Sequence, residues 1–142
     1  MDIAEEYFER LLGSADPIKA VTELDQVWCS RPGVALGVPR LGLAEPEYDI
    51  HLILVYTGAV INGGHAQFFE GPLASFAGDT VAALKRVSLT SLADILELAA
   101  SRQIGLHIAD KQVDPQLFAV DSALLRYARA HASELCRPER GG

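Results

Sequence analysis

The chain has 142 residues, 49% hydrophobic and 22% charged, with a formal net charge of −7. That length supports one domain that buries ~70% of its unfolded surface without a metal or disulfide staple, and the composition excludes disorder, collagen and a disulfide-rich scaffold. Its 19 acidic residues against 12 basic ones count against a conventional nucleic-acid binder, whose phosphate contacts need clustered Lys and Arg.

Asp2 to Leu12 reads as a short amphipathic helix. At ~100° per residue, Ile3, Tyr7, Phe8, Leu11 and Leu12 share one face and Asp2, Glu5, Glu6 and Glu9 the other. Gly13 and Ser14 end it. Asp16-Pro17 then gives a helix-start signal, an N-cap followed by proline. The helix after it runs to about Cys29, with Ile18, Val21, Leu24 and Trp28 on one stripe. Arg31 to Ala44, rich in glycine and proline, reads as a loop. It lacks the Gly-Lys-Ser/Thr ending of a phosphate-binding loop.

Pro46 to Ile61 is ambiguous. The run from Leu52 to Ile61 suits a buried strand by its branching, whereas its length favours a buried central helix. Asn62-Gly63-Gly64 stops it, because these residues adopt positive φ cheaply. A short helix follows from His65 to Phe69, ended by Gly71-Pro72. Asp79 to Val87 and Ser88 to Ala100 read as two amphipathic helices, the second carrying Leu89, Leu92, Ile95, Leu96 and Ala99 inward. Gln103 to Val113 reads as loop. Asp114-Pro115 repeats the start signal, and a last helix reaches about Leu135, with Leu117, Val120, Leu124, Tyr127, Ala128 and Leu135 on one side. Residues 137–142 form a polar tail. The expectation is all-α, a single domain spanning 1–142 with five to seven helices.

The start is acidic where a signal peptide is basic, and no apolar run approaches the ~20 residues of a membrane span. A cytoplasmic protein without membrane contact is expected, with Cys29 and Cys136 as reduced thiols. The acidity is uneven, since residues 1–50 carry 10 acidic and 4 basic side chains and residues 51–142 carry 9 and 8. Such a field serves solubility and suits a basic partner.

Chemistry is hard to find. The histidines (His51, His65, His107 and His131) have no zinc-ligand spacing, no serine sits in a nucleophile elbow, and no carboxylate stands out as an acid or base. No catalytic residue, metal ligand or cofactor is assigned. Asp121, beside the apolar stripe of the last helix, reads as a structural acceptor for a neighbouring helix end or an Arg. The specific segment is Asn62-Gly63-Gly64-His65-Ala66-Gln67-Phe68-Phe69. Its plain reading is a structural hinge, with one aromatic entering the core and Gln67 reaching backbone groups that the turn leaves open. Its functional reading is a groove floored by Phe68 or Phe69, with Asn62 and Gln67 as polar anchors.

This segment resembles the hallmark of a bacterial family of helical domains that includes a DNA-mimic protein binding a transcriptional regulator. In that family a helix runs into Asn-Gly-Gly-Phe-x-Gln-Phe/Tyr-Phe. Ala82-Ala83-Leu84, Leu92 to Leu96 and Leu125 to His131 resemble its later helices, so the likeness covers about residues 50–135. His65 replaces the family's aromatic, and Glu70 or Gly71 its later asparagine. The resemblance implies an all-α fold and, by analogy with the acidic member, a decoy surface.

The leading expectation is a non-enzymatic interaction module. Asp2, Glu5, Glu6, Glu9 and Glu23 would meet the basic surface of a protein partner such as a DNA-binding regulator, with no direct nucleic-acid contact. The alternatives are a small-molecule-binding or enzymatic domain with a cleft at Asn62, Gln67 and Phe68, and a toxin-immunity protein. An apolar face on the first helix would support a homodimer.

Overall fold

The computed structural model describes residues 3–31 and 42–135. Asp2, Cys136, most of the glycine- and proline-rich loop and the polar tail lie outside the described residues. The described chain is all-α: seven α-helices, three short 3₁₀ turns and no strand. The helices are α1 (Ile3–Leu12), α2 (Pro17–Cys29), α3 (Glu45–Glu70), α4 (Ala77–Arg86), α5 (Thr90–Ala100), α6 (Leu106–Val113) and α7 (Val120–Ala130). They fall into two compact units, residues 1–50 with 121–142 and residues 51–120.

In the first unit α1 packs on α2. Phe8, Leu11 and Leu12 are buried, as the apolar face of α1 requires. Gly13 closes α1 by bonding back to Glu9 O at 3.0 Å. Arg129 of α7 donates to Leu12 O and, at 3.0 Å, to Ser14 O. A cation on the orphan carbonyls of a helix end is favourable both by hydrogen bonding and by the macrodipole. Asp16 caps α2 through Lys19 N at 3.2 Å, with Pro17 at the first position. Ala20, Val21, Leu24 and Trp28 form the buried stripe of α2. Ile18 does not belong to it and is 65% exposed. It sits roughly 100° around the helix from the centre of that stripe.

The start of α3 holds two fully buried carboxylates, Glu47 and Asp49. Glu47 takes both Arg31 amino groups, at 2.7 and 3.3 Å, and Ala44 N at 3.0 Å. It therefore closes the helix start as the reciprocal half of a capping box does, while its charge is paired. Asp49 accepts the Tyr127 hydroxyl at 2.6 Å. Asp121 makes no hydrogen bond to a neighbouring helix end and no ion pair with an Arg among the described residues. Burial, with nearby Asp16 adding to it, pushes its pKa up.

In the second unit α4 packs on α5 and α5 on α6. Leu84 of α4, Leu92 and Leu96 of α5, and Ala109 and Val113 of α6 are all buried. The segment read as loop from Gln103 is helical from Leu106. Its two buried residues sit four apart on only eight helical positions, too short a stripe for periodicity to reveal. Both α4 and α5 end in Schellman turns built without glycine. Ser88 (φ 69°) and Arg102 (φ 59°) take the left-handed position. Leu89 N then bonds Leu84 O at 2.8 Å, and Gln103 N bonds Leu98 O at 2.9 Å. The last helix is not continuous. Asp114–Ala119 is a 3₁₀ turn that Asp114 does not cap, and α7 starts only at Val120. No helix among the described residues is long and apolar enough to cross a membrane.

Candidate functional site

The Asn-Gly-Gly segment is a kink inside α3, not the end of a helix. Asn62 and Gly63 stay helical, and the break is confined to Gly64, at φ 76° and ψ −175°. That combination is open essentially to glycine alone. The expectation that all three residues share the reversal is thus corrected, and the helix resumes at once with His65.

A helix that resumes has unbonded amides at its start. The His65 amide finds its acceptor 45 residues away, on Asp110 Oδ1 of α6 at 2.8 Å. The same oxygen meets His65 Nδ1 at 2.6 Å. On the other side of the ring, Nε2 lies 2.7 Å from the Tyr56 hydroxyl. His65 and Tyr56 are both fully buried. Burial pushes the Asp110 pKa up, but the two His65 hydrogen bonds and the nearby imidazoles outweigh it and hold the carboxyl below its ordinary value. Burial, with Asp110 adding to it, drives the Tyr56 hydroxyl far above its ordinary value. An ionised Asp110 can only accept, so the Nδ1–H of His65 donates to it, and on the far side of the ring Nε2 shares one hydrogen bond with the Tyr56 hydroxyl.

Tyr56, His65 and Asp110 therefore form a line of hydrogen bonds that outwardly resembles a catalytic triad. Its terminal hydroxyl is sealed in the core, so it has no route to a substrate. Its action is mechanical: it pins the kink to α6. Aromatic edges reinforce it, with Tyr56 meeting Phe68 at 5.1 Å and 82°. Phe68 enters the core at 2% exposure while Phe69 stays half-buried. One aromatic in and one out is the arrangement that helical spacing demands.

Gln67 does not reach turn backbone. Its Oε1 accepts from Asn62 Nδ2 at 2.9 Å, an exposed bridge across the kink. Gln67 and Phe68 also line an apolar cleft of about 310 Å³ with Leu54, Val55, Gly58 and Leu73. Phe68 and Gln67 thus do flank a groove, whereas Asn62, His65 and Phe69 are not among its lining residues. Tyr56 and Asp110, the two partners that make sense of His65, were absent from the sequence expectations. Tyr56 read as one more apolar position, and Asp110 fell in the supposed loop.

Of the expected acidic face, Glu6 and Glu9 are exposed, and Glu5 is half-buried. Glu23 is brought to α1 but is engaged there, accepting from the Tyr7 hydroxyl at 2.6 Å, with Lys19 at 3.9 Å. That hydrogen bond, more than burial or charge, raises the Tyr7 pKa. Two further carboxylates of the acidic first half, Glu47 and Asp49, are internal. The surface field of this unit is therefore weaker than its composition implies; its exposed acids include Asp16 and Glu45 as well as Glu6 and Glu9, and Arg10 of α1 is exposed beside them.

Comparison with known proteins adds one finding. The family model described as DMP19-like protein matches residues 42–132, which include all of α3 to α7 and with them the whole kink clamp. No curated protein and no solved structure matches the chain.

Proposed function

The chain belongs to the DMP19-like protein family, and from that premise we propose that it is a non-enzymatic interaction module that binds a DNA-binding protein through carboxylates. The observation that carries the reading is the solvent face of α1. Glu6 and Glu9 are exposed there, Glu5 is half-buried beside them, and the other face of the helix is packed away. Carboxylates on a fixed helix present negative charge at set intervals, as a phosphate backbone does, without its flexibility. Charge of this kind steers a basic partner and sets specificity more than it adds raw affinity. The sealed hydroxyl of Tyr56 adds weight to a non-catalytic role for the triad-like line.

The test is capture from native lysate on the immobilised chain at low and high salt. A DNA-binding protein held at low salt, released at high salt and lost with Glu6→Lys/Glu9→Lys is the expected result. Binding indifferent to both salt and charge reversal would refute the proposal.

The 310 Å³ cleft beside Phe68 favours a second reading, a small apolar ligand. Gln67→Ala would then weaken ligand binding while leaving the melting temperature nearly unchanged. A fold-wide loss of stability would assign Gln67 to the kink alone.

A further inference from the structure

A second cleft, of about 380 Å³, lies on the kink itself, wholly within the unit of residues 51–120. It is lined by Val60, Ile61 and Gly64 of α3, by Asp110 of α6, and by Asp114 and Leu117 of the following turn. Both His65 donors end on Oδ1 of Asp110. The other oxygen, Oδ2, stands 2.5 Å from where a Cβ on Gly64 would be. Because Gly64 carries none, nothing covers that oxygen from this side; Gly64 and Asp110 both line the cleft, and the Asp110 side chain is 35% exposed. Asp114 is exposed at the rim. The walls are aliphatic: Ile61 is 69% exposed, an unusual cost for a large apolar side chain, and Leu117 is half-buried.

A carboxylate fixed by two donors, a second one at the rim and aliphatic walls complement a long stem ending in a cation. We propose that this cleft receives an arginine side chain presented by a basic partner protein, its stem on Ile61 and Leu117 and its guanidinium on Asp110 Oδ2 and Asp114. The proposal rests on the reading above that the partner is basic, and it names the residue type by which the partner is held. Arginine is chosen over lysine because its planar fork offers several donors to two separate carboxylates. Lys111 also lines the cleft, so one cation faces two carboxylates and the balance stays negative. The volume falls at the low end of ligand clefts, in keeping with one side chain.

The test is NMR titration of the full isotope-labelled chain with N-acetyl-arginine methylamide, with N-acetyl-norleucine methylamide as the uncharged control. Saturable shifts at the amides of Gly63, Gly64, Asp110 and Lys111 are expected with arginine and not with norleucine. Asp114→Asn and Ile61→Lys should each weaken binding at least about fivefold, the range of one lost charge-assisted contact. Both positions are exposed, so folding is not at stake as it is for Asp110. Absence of saturable shifts at the cleft, or shifts indifferent to both variants, would overturn the proposal. Shifts confined to α1 would also overturn it and leave the acidic-face reading standing. Arginine binding in the cleft alongside failed lysate capture would instead sustain the site and sink that reading.

Discussion

A Cβ on Gly64 would fall 2.5 Å from Asp110 Oδ2 on a backbone at φ 76°. Two costs then coincide, a strained conformation of ~1–3 kcal/mol and displacement of the carboxylate that caps the resumed helix. Gly64→Ala should therefore lose at least that much stability in urea unfolding. Gly63→Ala is the comparison: its backbone is helical, so it adds no positive-φ strain, although its Cβ would meet both the Oε1 and, at 2.9 Å, the Cβ of exposed Gln67. It should lose clearly less, and equal losses would contradict the assignment of the break to Gly64. The Asp110 clamp also has a pH signature. Its folded-state pKa lies below the ordinary 3.8, so its contribution is complete above that value and drains away as pH falls through the lower folded value. In thermal melts the native chain should lose stability steeply below pH 3.8, whereas Asp110→Asn should be less stable at pH 7 and flatter in acid. Parallel profiles would rule the clamp out. The sequence marked the glycine pair, because positive φ follows from residue type, but not which glycine breaks the helix, nor that Gln67 accepts from Asn62. It did not reveal Asp110, because a contact 45 residues distant has no local signature.

At the level of elements, what could be read from sequence divides by length of pattern. α1, α2 and α5 carry long apolar stripes or a capping signal, and their faces were readable. α3 was readable as a helix only through its length, since it is apolar all round. α6, with eight residues and two buried positions, gave no periodic signal. The turns after α4 and α5 were equally opaque, because Ser88 and Arg102 hold a position normally marked by glycine. That departure makes a test. A left-handed residue other than glycine costs ~1–2 kcal/mol locally, part of which glycine returns as unfolded-state entropy. Ser88→Gly and Arg102→Gly should each stabilise the chain by about 0.5–1 kcal/mol. Both sites are exposed, so little else changes, and a destabilised variant would refute the turn geometry.

Over the whole molecule, the net charge of −7 overstates the acidic surface. Glu47 closes the first turn of α3, Asp49 is tied to Tyr127, Glu23 to Tyr7, and Asp110 braces the kink. Composition counts these carboxylates but cannot assign them, because burial and partners are tertiary facts. The proposed recognition of a basic protein rests on the exposed acids Glu6 and Glu9 of α1 together with the family. The most direct measurement is competition. A fluorescent duplex bound to the captured DNA-binding protein is titrated with this chain, and anisotropy reports the displaced duplex. Displacement that weakens with salt and is abolished by Glu6→Lys/Glu9→Lys is the expected result. A ternary complex, with the duplex still bound at saturating chain, would contradict the account.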